Sequence, residues 1–332
     1  MMRRPVLPAS VAPLGLLLVT AACGGPAVNP FEKKILEVPR RVGSEDLDDH
    51  LRRLQAAAAG ERAAALWALS DLGTADPALR GELAKALADP SEELRFAALH
   101  ALARRGLAPG ATGRDLVEPV LQALESDAVG MRAAARDAVA ALGSHAVDGL
   151  VQRLGAGAAR ARWNAAAALE RLGAEAVAAE GALAAAWARE TDAAVQERLA
   201  GALAKVGPEG AATLLDAVAG SDSGRSTLAV VALRSAPAPA LAGAARARLR
   251  EGAAAGLRDA VAQLAAQRRD VAELLVAELV GLLADEGPAA LDAEDALLAV
   301  GEPARAALEG LARQEGAPGA EAARDLLERL GD

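Results

Sequence analysis

Past residue 45 the apolar positions of the chain recur at a spacing of about thirty residues. The segments ERAAALWALSDLG (61–73), LRFAALHALARRG (94–106), MRAAARDAVAALG (131–143), ARWNAAAALERLG (161–173) and VQERLAGALAKVG (195–207) align on a closing glycine. These glycines, 73, 106, 143, 173 and 207, are spaced by 33, 37, 30 and 34 residues, and Gly301 and Gly331 close two more copies. The gap of 94 between Gly207 and Gly301 fits three further units, with Arg234 and Ala265 in the glycine slots. The position eleven before each slot, called zero, is then Arg62, Arg95, Arg132, Arg162, Gln196, Ser223, Ala254, Ala290 and Ala320. Offsets three, six, seven and ten hold small or aliphatic residues and fall on one arc of a helix. Alanine at offset six lets a neighbouring backbone approach closely, and glycine at eleven supplies a left-handed cap that ends the helix. Second amphipathic helices lie between, around Leu83 and Leu87, Val120 and Leu124, Leu150 and Leu154, and Leu279 and Leu283. Two such helices cannot form a core alone, but stacked copies can. The pattern predicts an all-α solenoid of about nine helix pairs over residues 46–332.

Composition supports this and removes other folds. Of 332 residues 91 are Ala, against 2 Phe, 3 Trp and no Tyr, which suits helices and starves strands of the residues they favour. The formal charge is −9, with 45 acidic residues against 36 basic ones. That balance argues against a partner bound along a phosphate backbone, which calls for a basic stripe. Arg outnumbers Lys by 32 to 4, a bias this reading assigns to a GC-rich genome rather than to a chemical need.

The first residues follow a different pattern. Arg3 and Arg4 precede an uncharged apolar stretch from Val6 to Val19, too short and too interrupted by proline to span a membrane. Thr20, Ala21 and Ala22 then lead into Cys23, the single cysteine of the chain. Val19-Thr20-Ala21-Ala22-Cys23 resembles the lipobox of bacterial lipoproteins, with Thr20 departing from the usual Leu. The resemblance implies a signal peptide over 1–22, lipidation of Cys23, a tether over 23–45, and, with Gly24 following, an outer-membrane address facing the periplasm. An ordinary secreted protein with an incidental cysteine is the competing reading. Lys33, Lys34, Arg40 and Arg41 read as part of a solvated linker.

The pattern R-x-x-A-A-x-A-L-x-x-L-G, clearest in 62–73 and 162–173, resembles the short HEAT-like repeats, including the phycobilisome-lyase type. In HEAT repeats an Asp often stands six residues before the Arg and builds a hydrogen-bonded ladder between units. Asp89 has this spacing from Arg95, whereas Asp127 lies five before Arg132, so the resemblance implies a partial ladder. It also implies that the glycine-capped helices line the concave side. The arc opposite their core, at offsets one, five and eight, carries Trp67, Phe96, His100, Asp137, Trp163 and Glu170 in the first four units. In the last three it carries Asp259, Asp295, Asp325 and Glu328. The expected binding face is therefore aromatic in its N-terminal half and acidic in its C-terminal half, with exposed aromatics as partner anchors. The alternative for Trp67 and Trp163 is that neighbouring repeats cover them, and Trp187 reads as packing.

Catalytic chemistry is poorly provided. His50, His100 and His145 fall in separate places, no HExxH or GxSxG occurs, and no second cysteine is present for zinc. Gly155 to Arg160 mimics a dinucleotide loop without its last glycine or a preceding strand, and reads as an interhelical turn. The expectation is a lipid-anchored, non-enzymatic scaffold of the cell envelope, binding a protein partner, touching membrane only through its lipid, and needing no metal, cofactor or nucleic acid. The rival is an enzyme or chromophore lyase, which requires a polar cavity around His100 and Asp137. A nucleic-acid role stands third and requires a basic concave face.

Overall fold

A computed structural model of the chain describes residues 47–55, 58–71, 77–106, 113–251, 255–285 and 287–331. The expected signal peptide, Cys23 and the tether lie outside the described residues. Every regular element among those residues is helical, and no helix there is long and apolar enough to cross a membrane.

The helices fall into nine successive pairs. In chain order these are α1 (Leu47–Arg53) with α2 (Ala59–Asp71), α3 (Pro77–Leu87) with α4 (Glu92–Arg105), and α5 (Arg114–Ala123) with α6 (Val129–Leu142). There follow α7 (Val147–Leu154) with α8 (Ala159–Leu172), α9 (Glu180–Arg189) with α10 (Ala193–Val206), and α11 (Pro208–Ala219) with α12 (Ser223–Leu233). The last three are α13 (Ala238–Arg250) with α14 (Ala255–Gln267), the broken helix α15 (Arg269–Leu274) and α16 (Val276–Leu282) with α17 (Pro288–Val300), and α18 (Glu302–Ala312) with α19 (Ala320–Gly331). Each second helix packs on the second helix of the next pair from α2 to α12, and again from α14 to α19. Between them the row shifts, because toward the preceding unit α14 rests on α11 rather than on α12. The architecture is an α-solenoid, as the periodicity requires.

The core lies where the repeat places it. At offset three Ala65, Ala98, Ala135 and Ala165 are buried, and at offset six so are Ala68, Ala101, Ala138, Ala168 and Ala202. Leu69, Leu102, Val139, Leu169 and Leu203 fill offset seven. The buried arc is wider than expected, since offset four is also buried at Leu66, Leu99, Ala166 and Ala200. Four closing glycines, Gly106, Gly143, Gly173 and Gly301, have φ between 55° and 75° and cap their helices by donating to Leu102, Val139, Leu169 and Leu297 carbonyls. Gly207 departs from this expectation. Its φ of 167° is extended backbone, because Pro208 starts the next helix at once. That helix lies so close to its predecessor that a Cβ on Gly210 would stand 2.3 Å from the Leu203 carbonyl oxygen.

Burial corrects one of the two registers that have no glycine. In the sixth unit the buried residues Ala229, Ala232, Leu233 and Ala236 match offsets three, six, seven and ten if zero is Ser226 rather than Ser223. In α14 the expected register holds, since Leu257, Ala260, Val261 and Leu264, at offsets three, six, seven and ten from Ala254, are all buried. The register of the sixth unit differs because small residues surround it, so an Ala-rich arc can be drawn in more than one phase.

The arginine at zero has a chemical task that composition alone concealed. Arg95 Nη1 donates to the carbonyls of Asp89 and Pro90, Arg132 Nη1 to Ser126 and Asp127, and Arg162 Nη1 to Ala156 and Gly157, at 2.7–3.1 Å. Gln196 does the same for the Glu190 carbonyl at 2.7 Å. These are groups that the turn before the second helix leaves without helical partners. The rest of the fork reaches the following unit. Arg62 Nη2 lies 2.8 Å from Asp89 Oδ2, and Arg162 Nε and Nη2 lie 2.7 and 3.0 Å from the two Glu190 oxygens. Arg258 repeats the contact with Asp285 at 3.1 Å. The ladder is partial, as expected, but its acid is Glu in one unit. A lysine cannot make such planar, divided contacts, so the excess of Arg over Lys is in part a structural requirement.

Ala168 and Leu169 are fully buried between units, so opposite changes at these two positions test the packing. Ala168→Leu is expected to destabilise by about 1–3 kcal/mol through overpacking, and Leu169→Ala by about 2–5 kcal/mol through a cavity. Chemical unfolding followed by circular dichroism measures both, and a neutral Ala168→Leu would contradict close helix contact there.

Candidate binding face

The expected site residues lie along the second helices of the pairs at offsets one, five and eight, which are open to solvent at some units and buried at others, as at Ala63, Ser70 and Ala204. At its start Trp67 of α2 meets two side chains of α4. Its ring centroid is 4.2 Å from that of His100 and 6.2 Å from that of Phe96. Trp67 and His100 are half-buried, but Phe96 is only 6% exposed and is corrected from surface anchor to packing residue. Its ring fills the seam between the first two units, where α2 and α4 approach closely.

Further along, Trp163 of α8 stands between two guanidiniums. Arg136 of α6 lies 5.4 Å from the ring centroid and Arg198 of α10 lies 4.8 Å from it. Neighbouring units therefore cover part of the indole, which remains half-buried. Arg136 Nη1 also donates to Asn164 Oδ1 at 3.0 Å, while Asn164 Nδ2 donates to the Leu124 carbonyl at 2.9 Å. Asn164 is 2% exposed, so a polar side chain inside the Ala-rich seam fixes the rung that holds Arg136. Glu170 receives Arg198 Nη1 and Lys205 Nζ, each at 2.8 Å. Burial opposes its charge, but the hydrogen bonds from Lys205 and Arg198 prevail and hold the carboxyl below its ordinary range. Asp137 is exposed and pairs with Arg171 at 3.0 Å.

The C-terminal half carries the acidic residues as expected. Asp295 and Asp325 are exposed and Asp259 is half-buried. Asp292 joins them: burial first, then the charges of Asp295 and Asp259, raise its carboxyl above the ordinary range. Val231 and Leu291 are 59% and 64% exposed on the second helices of the same half. Among the described residues no group of three or more His, Cys, Asp or Glu could hold a metal ion. Trp187 is buried beneath Arg225, the packing role expected of it.

The residues that sequence reasoning passed over are Arg136, Arg171, Arg198, Lys205 and Asn164, which make the middle of the row cationic rather than simply aromatic. One signal was available. Arg136 occupies offset four, where the other early units place Leu66, Leu99, Ala166 and Ala200, and a charged residue at a core position needs partners.

No family model matches the chain, and no curated protein matches it. Solved structures are similar. The complex of CpcE and CpcF of phycocyanin lyase from Nostoc has 19% identity over 89% of this chain and 98% of that one, with a TM-score of 0.38. A Kap95p structure with RanGDP has 13% identity over 90% of this chain and 47% of that one, with a TM-score of 0.45, so the present chain spans about half its length. Human deoxyhypusine hydroxylase has 21% identity over 76% of this chain and 96% of that one, with a TM-score of 0.30. At such identities and TM-scores the likeness assigns no function. The class that the nine helix pairs themselves define is the α-solenoid.

The Arg162–Glu190 rung borders a cleft of about 400 Å³ lined by Leu154, Gly155, Ala186 and Thr191 among others, and it gives the array a pH dependence. Hydrogen bonds from Arg162, against the opposing effect of burial and with help from the Asp192 and Thr191 amides, bring the Glu190 carboxyl from an ordinary 4.5 to about 2. A carboxyl depressed in the folded state stabilises fully above its unfolded pKa and loses that contribution as pH falls through the folded one. The rung is therefore complete above about pH 4.5 and is lost toward pH 2. Glu190→Gln is expected to cost about 1–3 kcal/mol at pH 7, with the difference from wild type shrinking by pH 3. Thermal unfolding at both values measures it, and an unchanged difference would contradict the rung.

Proposed function

We propose that this protein is a lipid-anchored, non-catalytic interaction scaffold of the bacterial cell envelope. One observation carries the binding role: the row of second helices is continuous through the first six units and presents side chains that the core does not use. Trp67, His100, Asp137, Trp163 and Glu170 lie on four successive helices of that row, at offsets that leave them wholly or partly open to solvent. A surface built this way offers a partner an extended register of contacts, each unit adding one, which suits recognition of another protein better than enclosure of a small substrate. Half-exposed Trp67 and Trp163 supply area at little entropic cost, and the charged residues beside them supply orientation.

The envelope assignment rests on the sequence of residues 1–24. A positive start, a short apolar stretch and Cys23 as sole cysteine support export followed by acylation. Residues 23–45 then serve as the link between the lipid and the solenoid, whose partner is in the periplasm.

Anchoring is tested by expressing the full-length chain and Cys23→Ser in a host with two membranes, labelling with a fatty-acid analogue and fractionating the envelope. The expected result is label and outer-membrane partitioning in the wild type and the loss of both in the variant. An unlabelled wild type that fractionates with soluble proteins would remove the lipid anchor from the account.

A further inference from the structure

A surplus of positive charge lies in the middle of this acidic molecule. Arg132, Arg136, Arg171, Arg198 and Lys205 on α6, α8 and α10 face three acids of the same helices, Asp137, Glu170 and the exposed Glu197. Asp137 is committed to Arg171, and Glu170 to Arg198 and Lys205. Arg136 has no carboxylate partner among the described residues. Its one hydrogen bond goes to a neutral amide oxygen, and one face of its guanidinium rests on Trp163. Arg198 Nε, on the opposite side of the ring, is enclosed and makes no hydrogen bond. Burial, then the field of Arg132 with further contributions from Arg198 and Arg171, lowers the proton affinity of Arg136, against the opposing pull of Asp137. A guanidinium so placed is short of an anion.

Resting on the reading of this row as a binding face, we propose that Arg136, Trp163 and Arg198 form the recognition point for an acidic segment of a protein partner. The arriving carboxylate takes the free edge of the Arg136 fork, and an adjacent apolar side chain of the segment lies against the open part of the Trp163 ring. The partner's charge follows from the surplus, and its short extent follows from the surroundings. The cationic patch is confined to three units, and beyond the shift in the row the second helices carry Asp259, Asp292 and Asp295. A polyanion tracking the row, such as a nucleic acid, would meet those acids and be repelled. A segment a few residues long stays within the patch.

The test uses the purified full-length chain in detergent and three fluorescein-labelled probes: a short peptide alternating Glu and Leu, its Lys and Leu counterpart, and a single-stranded oligonucleotide of matching charge. Fluorescence anisotropy at low and moderate salt gives the affinities. The acidic peptide is expected to bind best. Arg136→Ala is expected to weaken it about tenfold or more, Arg136→Lys to restore little because the fork and the stacking are lost, and Glu315→Gln, at an exposed turn away from the face, to leave it unchanged. Arg198→Lys keeps the charge beside Glu170 and should also weaken binding, which guards against Arg136→Ala acting through misfolding; thermal unfolding of each variant checks this directly. Preference for the basic peptide, or acidic-peptide binding indifferent to both Arg136→Ala and Arg198→Lys, would overturn the proposal. Equal or tighter binding of the oligonucleotide would overturn it in favour of a polyanion face. If no peptide binds while a photocrosslinkable phenylalanine in place of Trp67 captures an envelope protein in cells, the acidic specificity falls and the scaffold reading stands. If that crosslink is also absent, both fall.

Discussion

The array depends on arginines that close the turn within a unit or grip the acid of the next, and at Arg162 one guanidinium does both. Where a first helix ends and the second begins, the chain exposes two carbonyls that no helix satisfies, and an unmet buried carbonyl costs about 1–3 kcal/mol. Arg162 closes Ala156 and Gly157 with one terminal nitrogen and grips both oxygens of Glu190, in the following unit, with the other two. The turn is thereby fixed, and so is the distance to the next turn. The Ala-rich arcs can then interlock, since alanine at offsets three and six sets a close approach that a looser turn would waste. In the fifth unit, where zero is Gln196, Arg225 adds contacts to the Ala188 and Glu190 carbonyls; Arg268 closes a turn of the other kind, between α12 and α13, through the Leu233 and Ala236 carbonyls.

Much of this was legible in the sequence. Closing glycines at a spacing near thirty, alanine at six and leucine at seven define a helix with one apolar arc, and nothing but stacking satisfies nine such helices. The register of the sixth unit was not legible. It lacks the glycine that marks phase, and around Ser223 small residues are so dense that several arcs look equally apolar. Burial of Ala232, Leu233 and Ala236 supplies the phase that local pattern withheld. The same unit holds α11, onto which α14 moves, so the weak sequence signal coincides with a real irregularity in the stack.

The face was legible in outline and not in sign. Offsets opposite the core identified Trp67, His100, Asp137, Trp163 and Glu170 as a row, and these residues do lie on one. What a helical projection cannot show is which side chains lean in from neighbouring units. Arg136 and Arg198 sit at offsets four and two of their own helices, yet both reach the Trp163 ring, and they turn an expected aromatic patch into a cationic one. Phe96 shows the reverse: an outward offset that α2 covers. The molecule is thus divided along its length, cationic and aromatic around units two to five and acidic with exposed aliphatics beyond, although its overall charge of −9 suggests uniform acidity.

Because stability in a stacked array is a sum of unit and neighbour terms, the two-job arginine makes a local claim that hydrogen exchange can read directly. Exchange followed by mass spectrometry on the wild type and Arg162→Lys tests it. The account predicts faster exchange in the second helices of units four and five, spanning 159–206, and unchanged protection over 288–331 beyond the shift in the row. Uniform loss of protection along the whole chain, or none at 159–206, would contradict an array held together unit by unit through its arginines.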